Sequence, residues 1–420
     1  MAPTTTTAPP DSPYAPLRLP AFRRYLLGLL ALTFATQLQG LVVGWQIYAL
    51  TKDPLALGLI GLAEALPFIG FALYAGHVAD RVDRRRLMLV ATAVLVACSL
   101  ALLALAWGPV AAGPAGRRVV YLIYAVIVAS GVARSFLQPA RTAFSVELVP
   151  RALLPSSVTW RSAVWQTASV IGPALGGLLY AFGGARTAYA VDVTLLGVAL
   201  VAFVSIRHRS PARERVEGSV ARSLTEGVRY VRGQPVILGA MTLDLFSVLF
   251  GGATALLPVF ADEVLRVGPE GLGVLRAAPA AGAVLVSFWL AHRPPFARAG
   301  RVLFAAVAAF GVLMIVFGLS RSYPLSVAVL ALSGAVDMVS VNIRSLLLQL
   351  LVPEHLLGRV SSVNQIFIGS SNEIGAFESD VAARLLGAAA SVVVGGAATL
   401  AVVAATAWKV PELRRLQRIG

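Results

Sequence analysis

Long apolar runs alternate with short charged or Gly/Pro-rich breaks from position 26 to position 408, and each run is about as long as a bilayer is thick. A membrane-crossing helix takes roughly 20 apolar residues. The runs place helices at 26–50, 57–79, 87–107, 119–139, 160–183 and 187–206, then at 236–260, 272–291, 301–320, 324–344, 360–381 and 385–408. In lipid each segment must satisfy its own backbone, which runs of this length do as helices and not as the ~10-residue strands of a barrel. Composition points the same way. The chain is 58% apolar and 13% charged with mean hydropathy +0.80, where a soluble domain is roughly one quarter charged. The expected fold class is an all-α integral membrane protein with twelve transmembrane helices, and membrane lipid is its obligate surrounding.

The charge distribution sets an orientation. Arginine supplies 33 of the 35 basic residues, in bursts between apolar runs. Loops on the side of the two termini carry 26 of them, the opposite loops seven (Lys52, Arg117, Arg118, Arg186, Arg266, Arg321 and Arg384), and Arg134 and Arg276 fall inside spans. Cytoplasmic loops are the basic ones, so both termini are expected in the cytoplasm. The net charge of +15 has no soluble domain to carry a basic patch, so no nucleic-acid partner is expected. A single cysteine, Cys98, excludes a disulfide framework or thiolate cluster, and the four histidines are scattered. No metal or cofactor is expected. The first ~20 residues are Thr/Pro-rich without a basic leader, so a cleaved signal peptide is not expected.

The one long polar stretch separates the sixth and seventh runs. Val220, Leu224, Val228 and Val231 recur there at helical spacing, with Arg222, Glu226, Arg229 and Arg232 on the other face. This describes an amphipathic helix, lying either on the cytoplasmic bilayer surface or as a linker without a lipid role. The chain is thereby divided into a bundle at 1–206, a cytoplasmic linker at 207–234 and a second bundle at 235–420. A shift of 203 residues superposes the halves. It pairs Ser130-Gly131 with Ser333-Gly334, Arg141 with Arg344, Leu148-Val149-Pro150 with Leu351-Val352-Pro353, and Ile171-Gly172 with Ile374-Gly375. Two parallel six-helix repeats make a fold suited to alternating access.

Two motifs sit on this frame. Gly76-His77-Val78-Ala79-Asp80-Arg81-Val82-Asp83-Arg84-Arg85-Arg86 follows the second run. It resembles the cytoplasmic loop signature of the major facilitator superfamily, with Asp83 where that family usually has glycine. Gly172-Pro173-Ala174-Leu175-Gly176-Gly177 in the fifth run is similar to the motif typical of the superfamily's antiporters. As residues alone, the proline removes a backbone hydrogen bond and the glycines permit close helix approach. Further segments resemble the enterobactin-exporter-like branch. They are Ala21-Phe22-Arg23-Arg24-Tyr25, Glu226-Gly227-Val228-Arg229-Tyr230-Val231-Arg232, Asp244-Leu245-Phe246, Asp337-Met338-Val339-Ser340-Val341-Asn342-Ile343-Arg344-Ser345 and Gly358-Arg359-Val360-Ser361-Ser362-Val363-Asn364.

The resemblance implies a secondary transporter of the bacterial cytoplasmic membrane that exports siderophores or drug-like amphiphiles against protons, acting as a monomer. It implies a cytoplasmic gate at Gly76, Asp80, Arg81, Arg84 and Arg85, with Asp80 facing the start of the eleventh span around Gly358. It also implies a cavity lined by the first, fourth, seventh and tenth spans, which carry Gln37, Gln39, Gln46, Arg134, Asp244 and Asp337. An ionised carboxylate at mid-bilayer costs about 2.5–3.5 kcal/mol, so Asp337, Asp244 and Glu373 need a reason for their depth. Each is a candidate proton carrier or the permanent partner of an arginine such as Arg134 or Arg344. Glu378 and Asp380, near the outer surface, are expected to be solvated. No HExxH, GxSxG or P-loop pattern is present, so neither an enzyme nor an ATP-driven pump is expected. A passive facilitator or an importer of the same fold is the alternative.

Overall fold

The computed structural model describes residues 14–107, 114–208, 220–250, 253–293 and 296–416. The described residues are almost entirely helical, with no strand among them. Helices α1 (Pro20–Thr51), α2 (Pro54–Arg81), α3 (Arg84–Trp107) and α4 (Pro114–Glu147) lead to α5 (Leu154–Val204). At 51 residues α5 would run about 77 Å, far beyond one bilayer crossing. It breaks at Gly184, whose φ of 66° only glycine adopts readily, and so supplies two successive spans where the sequence places two runs. A surface helix α6 (Val220–Arg232) follows, then α7 (Pro235–Phe250), α8 (Gly268–Ala291), α9 (Ala299–Leu319), α10 (Tyr323–Leu351), α11 (Glu354–Leu386), α12 (Ala388–Lys409) and the short α13 (Pro411–Arg415). Counting α5 as two, this series is consistent with twelve crossings.

The seventh run differs from expectation. Its helix stops at Phe250 and resumes only as the short turns Leu257–Val259 and Phe260–Val264. Residues 253–256 form turns, and Thr254 is a weak helix former, so apolarity alone overestimates the helix.

Two compact units emerge. One comprises residues 1–42 and 66–214, the other 43–65 and 215–420. Residues 43–65, which chain order assigns to the first bundle, cluster with the second unit. In the first unit one core gathers Phe22, Tyr25, Leu32, Phe144, Phe203 and Ile206. In the second, α9 packs on α10 and α12, α8 on α10, and α7 on α11 and α12.

The 203-residue repeat is visible in these contacts. A Cβ on Gly172 would lie 2.8 Å from Gln37 of α1, and one on Gly375 would lie 2.8 Å from the Leu249 carbonyl of α7. The paired glycines thus let α5 approach α1 and α11 approach α7, the first against a side chain and the second against backbone. Helix α6 meets α7 at 104°. Its Val228 and Val231 pack with Val360 and Val363 of α11, Glu226 pairs with Arg359, and the Tyr230 hydroxyl donates to the Leu351 carbonyl at 2.9 Å. This part of the expected amphipathic face is therefore covered by protein and not by lipid. The side chains of Arg222 and Leu224 are outside the described ones.

Candidate functional site

In the first unit, α1, α3, α4 and α5 converge on one buried polar network. Asp192, on the second arm of α5, is fully buried. One of its oxygens accepts from the Gln39 amide at 3.0 Å and also from the Ser99 hydroxyl. The Gln39 carbonyl oxygen in turn accepts from Arg134 at 3.0 Å. The other Asp192 oxygen is buried without a hydrogen-bond partner among the described residues. A buried carboxylate left half-satisfied is expensive, so this network is a place where charge matters. Gln37 lies nearby on α1 and donates to Ser169 of α5 at 3.1 Å. Gln46, further along α1, is buried and belongs to the second unit. Of these glutamines and the arginine, Gln39 and Arg134 touch each other in the network, while Gln37 holds a separate contact to α5.

In the second unit two of the three candidate proton carriers have described side chains, and their surroundings differ. Asp244 of α7 forms a buried ion pair with Arg344 of α10. Asp337, fourteen residues into α10, makes no ion pair or hydrogen bond among the described residues. It borders a cavity of about 200 Å³ with Ser247, Ser333, Asn372, Phe310 and Met314. One arginine therefore neutralises Asp244 and leaves Asp337 beside open space. The side chain of the third candidate, Glu373, is outside the described ones.

The sequence comparisons agree with this membrane architecture. A family model described as transmembrane secretion effector matches residues 11–419, nearly the whole chain. The chain belongs to this family of the major facilitator superfamily. It is 28% identical over 348 residues to the enterobactin exporter EntS of Shigella boydii serotype 18, covering 82% of this chain and 80% of that protein. EntS of Escherichia coli O139:H28 is 27% identical over the same length. Among solved structures, a bacterial homologue of the iron transporter ferroportin in the inward-facing state superposes with a TM-score of 0.73, covering 95% of this chain and 99% of that one at 15% identity. The nucleoside transporter NupG superposes at 0.72, with 92% and 98% covered at 10% identity. These distant structures share the fold. This chain is a multi-pass membrane transporter and not an enzyme.

The superfamily motifs of this transporter fall partly on described atoms. Gly76, Asp80 and Arg81 lie in the last turns of α2, and their side chains are outside the described ones. Arg84, though in a basic burst, is buried and pairs with Glu147 at the end of α4 at 2.6 Å. Arg85 donates to the Val204 carbonyl at 2.7 Å. Both arginines therefore clamp α3 to its neighbours within the first unit. Gly172, Pro173, Gly176 and Gly177 are all buried, and Gly176 rides on Leu38 of α1 with a virtual Cβ at 3.4 Å.

Sequence reasoning gave no role to three residues that the structure engages. Asp192 and Ser99 complete the network, and the signal for Asp192 was a lone acid in an apolar run. Glu147 was readable as the acid nearest the Leu148-Val149-Pro150 block. Asp380 corrects an expectation outright. It is fully buried, with both oxygens unpartnered among the described residues, and Gly58 of α2 approaches it so closely that a Cβ there would lie 3.0 Å away. Asp380 lies close to the helix end, but the start of α2 covers it.

Proposed function

We propose that this transporter is a secondary active exporter that moves amphipathic small molecules of the siderophore or drug-like class outward, driven by protons through alternating access. It works in the bacterial cytoplasmic membrane with both termini inside, as a monomer. The observation that carries the reading is the contrast between Asp244, tied to Arg344, and Asp337, without an ion partner among the described residues and beside a cavity at mid-helix. A proton carrier must change its proton affinity as access alternates, and a carboxyl already neutralised by a guanidinium cannot do so freely. Asp337 is therefore assigned the proton, and Asp244 the role of holding α7 to α10. The enterobactin exporters among its relatives support the export of siderophore-like cargo.

The remaining assignments follow. Gln37, Gln39 and Arg134 in the first unit, and Gln46 in the second, are assigned as substrate contacts, being donors and a positive charge suited to an anionic or oxygen-rich amphiphile. Gly76, Asp80 and Arg81, with Arg84 and Arg85, form the cytoplasmic gate. Gly172, Pro173, Gly176 and Gly177 give the close helix contact associated with antiport, and Glu373 is held as a secondary proton site.

The test is Asp337→Asn, purified and reconstituted. The variant should melt within a few degrees of the parent, since no ion partner is stranded, bind a fluorescent amphiphile, and lose transport driven by a pH gradient. A well-folded variant that still concentrates the amphiphile in response to the gradient would remove Asp337 from the mechanism.

A further inference from the structure

The second unit holds a basic pocket that neither the proton pathway nor the substrate face uses. Arg298 and Arg301 at the start of α9 and Arg414 and Arg415 on α13 border a cavity of about 720 Å³, together with Phe304 and Leu416. Guanidinium groups stay charged and their planar forks suit phosphate oxygens. Four of them around one cavity repel each other unless an anion sits between them. The acid on α13, Glu412, does not serve: none of the four arginines makes an ion pair among the described residues.

The four arginines are exposed, but the backbone frame that carries them is fixed. Leu413 of α13 is fully buried in a cluster with Leu243, Ala299, Leu303 and Phe304, which fixes the direction of the two arginines that follow it. The α13 backbone lies so close to α9 that a Cβ on Gly300 would sit 1.9 Å from the Leu413 carbonyl oxygen. The Gly300 amide donates to the Leu416 carbonyl at 3.3 Å. Only glycine permits this approach.

The depth of the pocket distinguishes the ligand. Trp408, at the end of α12, is 80% exposed three residues before α13 begins, and an exposed tryptophan at a helix end marks the headgroup level. Arg301 opens the membrane-crossing part of α9, and Phe304 forms the wall one turn further in. A phosphate at this height meets guanidinium groups, with Phe304 and Leu416 as the apolar part of the lining. Basic pockets between helices at this level suit anionic headgroups.

We propose that Arg298, Arg301, Arg414 and Arg415 form a binding site for the phosphodiester headgroup of an anionic membrane lipid. The chemistry shared with a free phosphate is the phosphate itself. Phe304 and Leu416 give the lipid an acyl-side contact that the free ion lacks.

The experiment uses the full-length protein in a neutral detergent, with native mass spectrometry counting bound phosphatidylglycerol. The parent should retain the lipid, bind phosphatidylcholine far less, and keep phosphatidylglycerol in a hundredfold excess of inorganic phosphate. Arg301→Gln combined with Arg414→Gln should weaken retention at least tenfold without lowering the lipid-free melting temperature. Arg117→Gln with Arg118→Gln, far along the chain in the first unit, should leave retention unchanged. Should the first pair fail to fold, Arg298→Gln with Arg415→Gln gives the same reading from two exposed side chains. Equal retention by the parent and a folded pocket variant would overturn the site. Displacement by inorganic phosphate at parity with the lipid would overturn the lipid assignment.

Discussion

Asp244 and Asp337 are the same residue type on two cavity-facing helices of the resembled family, and they have opposite surroundings. Asp244 and Arg344 are about nine-tenths buried as a pair. Removing one partner of such a pair strands a charge, typically at about 3–5 kcal/mol, whereas replacing both with apolar groups of similar size is often near neutral. Asp244→Asn should accordingly lower the melting temperature and folded yield sharply, and Asp244→Leu combined with Arg344→Met should recover most of the loss. Additive losses in the double variant would mean that the two side chains do not depend on each other. This distinction was illegible in the sequence. Asp244 and Arg344 are 100 residues apart, and in helices apolar on nearly all sides no periodicity tells which way a side chain points.

At the scale of the element, close helix approach rests on single glycines where two backbones meet. A Cβ on Gly282 of α8 would lie 1.8 Å from the Ala331 carbonyl oxygen, and one on Gly334 of α10 would lie 1.9 Å from that of Pro279. Since backbone is the obstacle, no rotamer change relieves the clash. Overpacked cores typically lose about 1–3 kcal/mol, so Gly334→Val should destabilise the protein at that level or beyond and separate α8 from α10. A disulfide trap between the two helices, made at exposed positions in a Cys98→Ser background, should then form more slowly; an unchanged rate and melting temperature would contradict the packing. The 203-residue repeat already singled out Gly334 and Gly375, because small residues recurring on a shared register are visible in a chain. The break of α5 at Gly184 was legible as a gap between apolar runs. Helix α6 was legible as amphipathic, but its occupant was not. Periodicity names an apolar face and leaves open whether lipid or α11 covers it.

At the scale of the whole molecule, the twelve-run pattern and the motif residues carried the fold class and the family, because span length and backbone satisfaction in lipid leave few alternatives. Depth was legible from position along a run; cover was not, which is why Asp380, near a helix end, proved to be buried under Gly58. The proposed orientation rests on the basic loops. Gly233→Cys in the Cys98→Ser background, at the exposed turn between α6 and α7, should resist an impermeant thiol reagent in intact cells and react once the membrane is opened. Ready labelling in intact cells would place that turn outside.

The claim that unites these scales is that proton movement drives export. Everted membrane vesicles test it directly, since the cytoplasmic face is then outward and export becomes accumulation. With the lumen acidified, vesicles containing the transporter should concentrate a fluorescent amphiphile well above the level of vesicles lacking it, and a protonophore should return that level to baseline. Accumulation that persists when the gradient is collapsed, or equilibration that ignores the gradient from the start, would contradict proton-driven export.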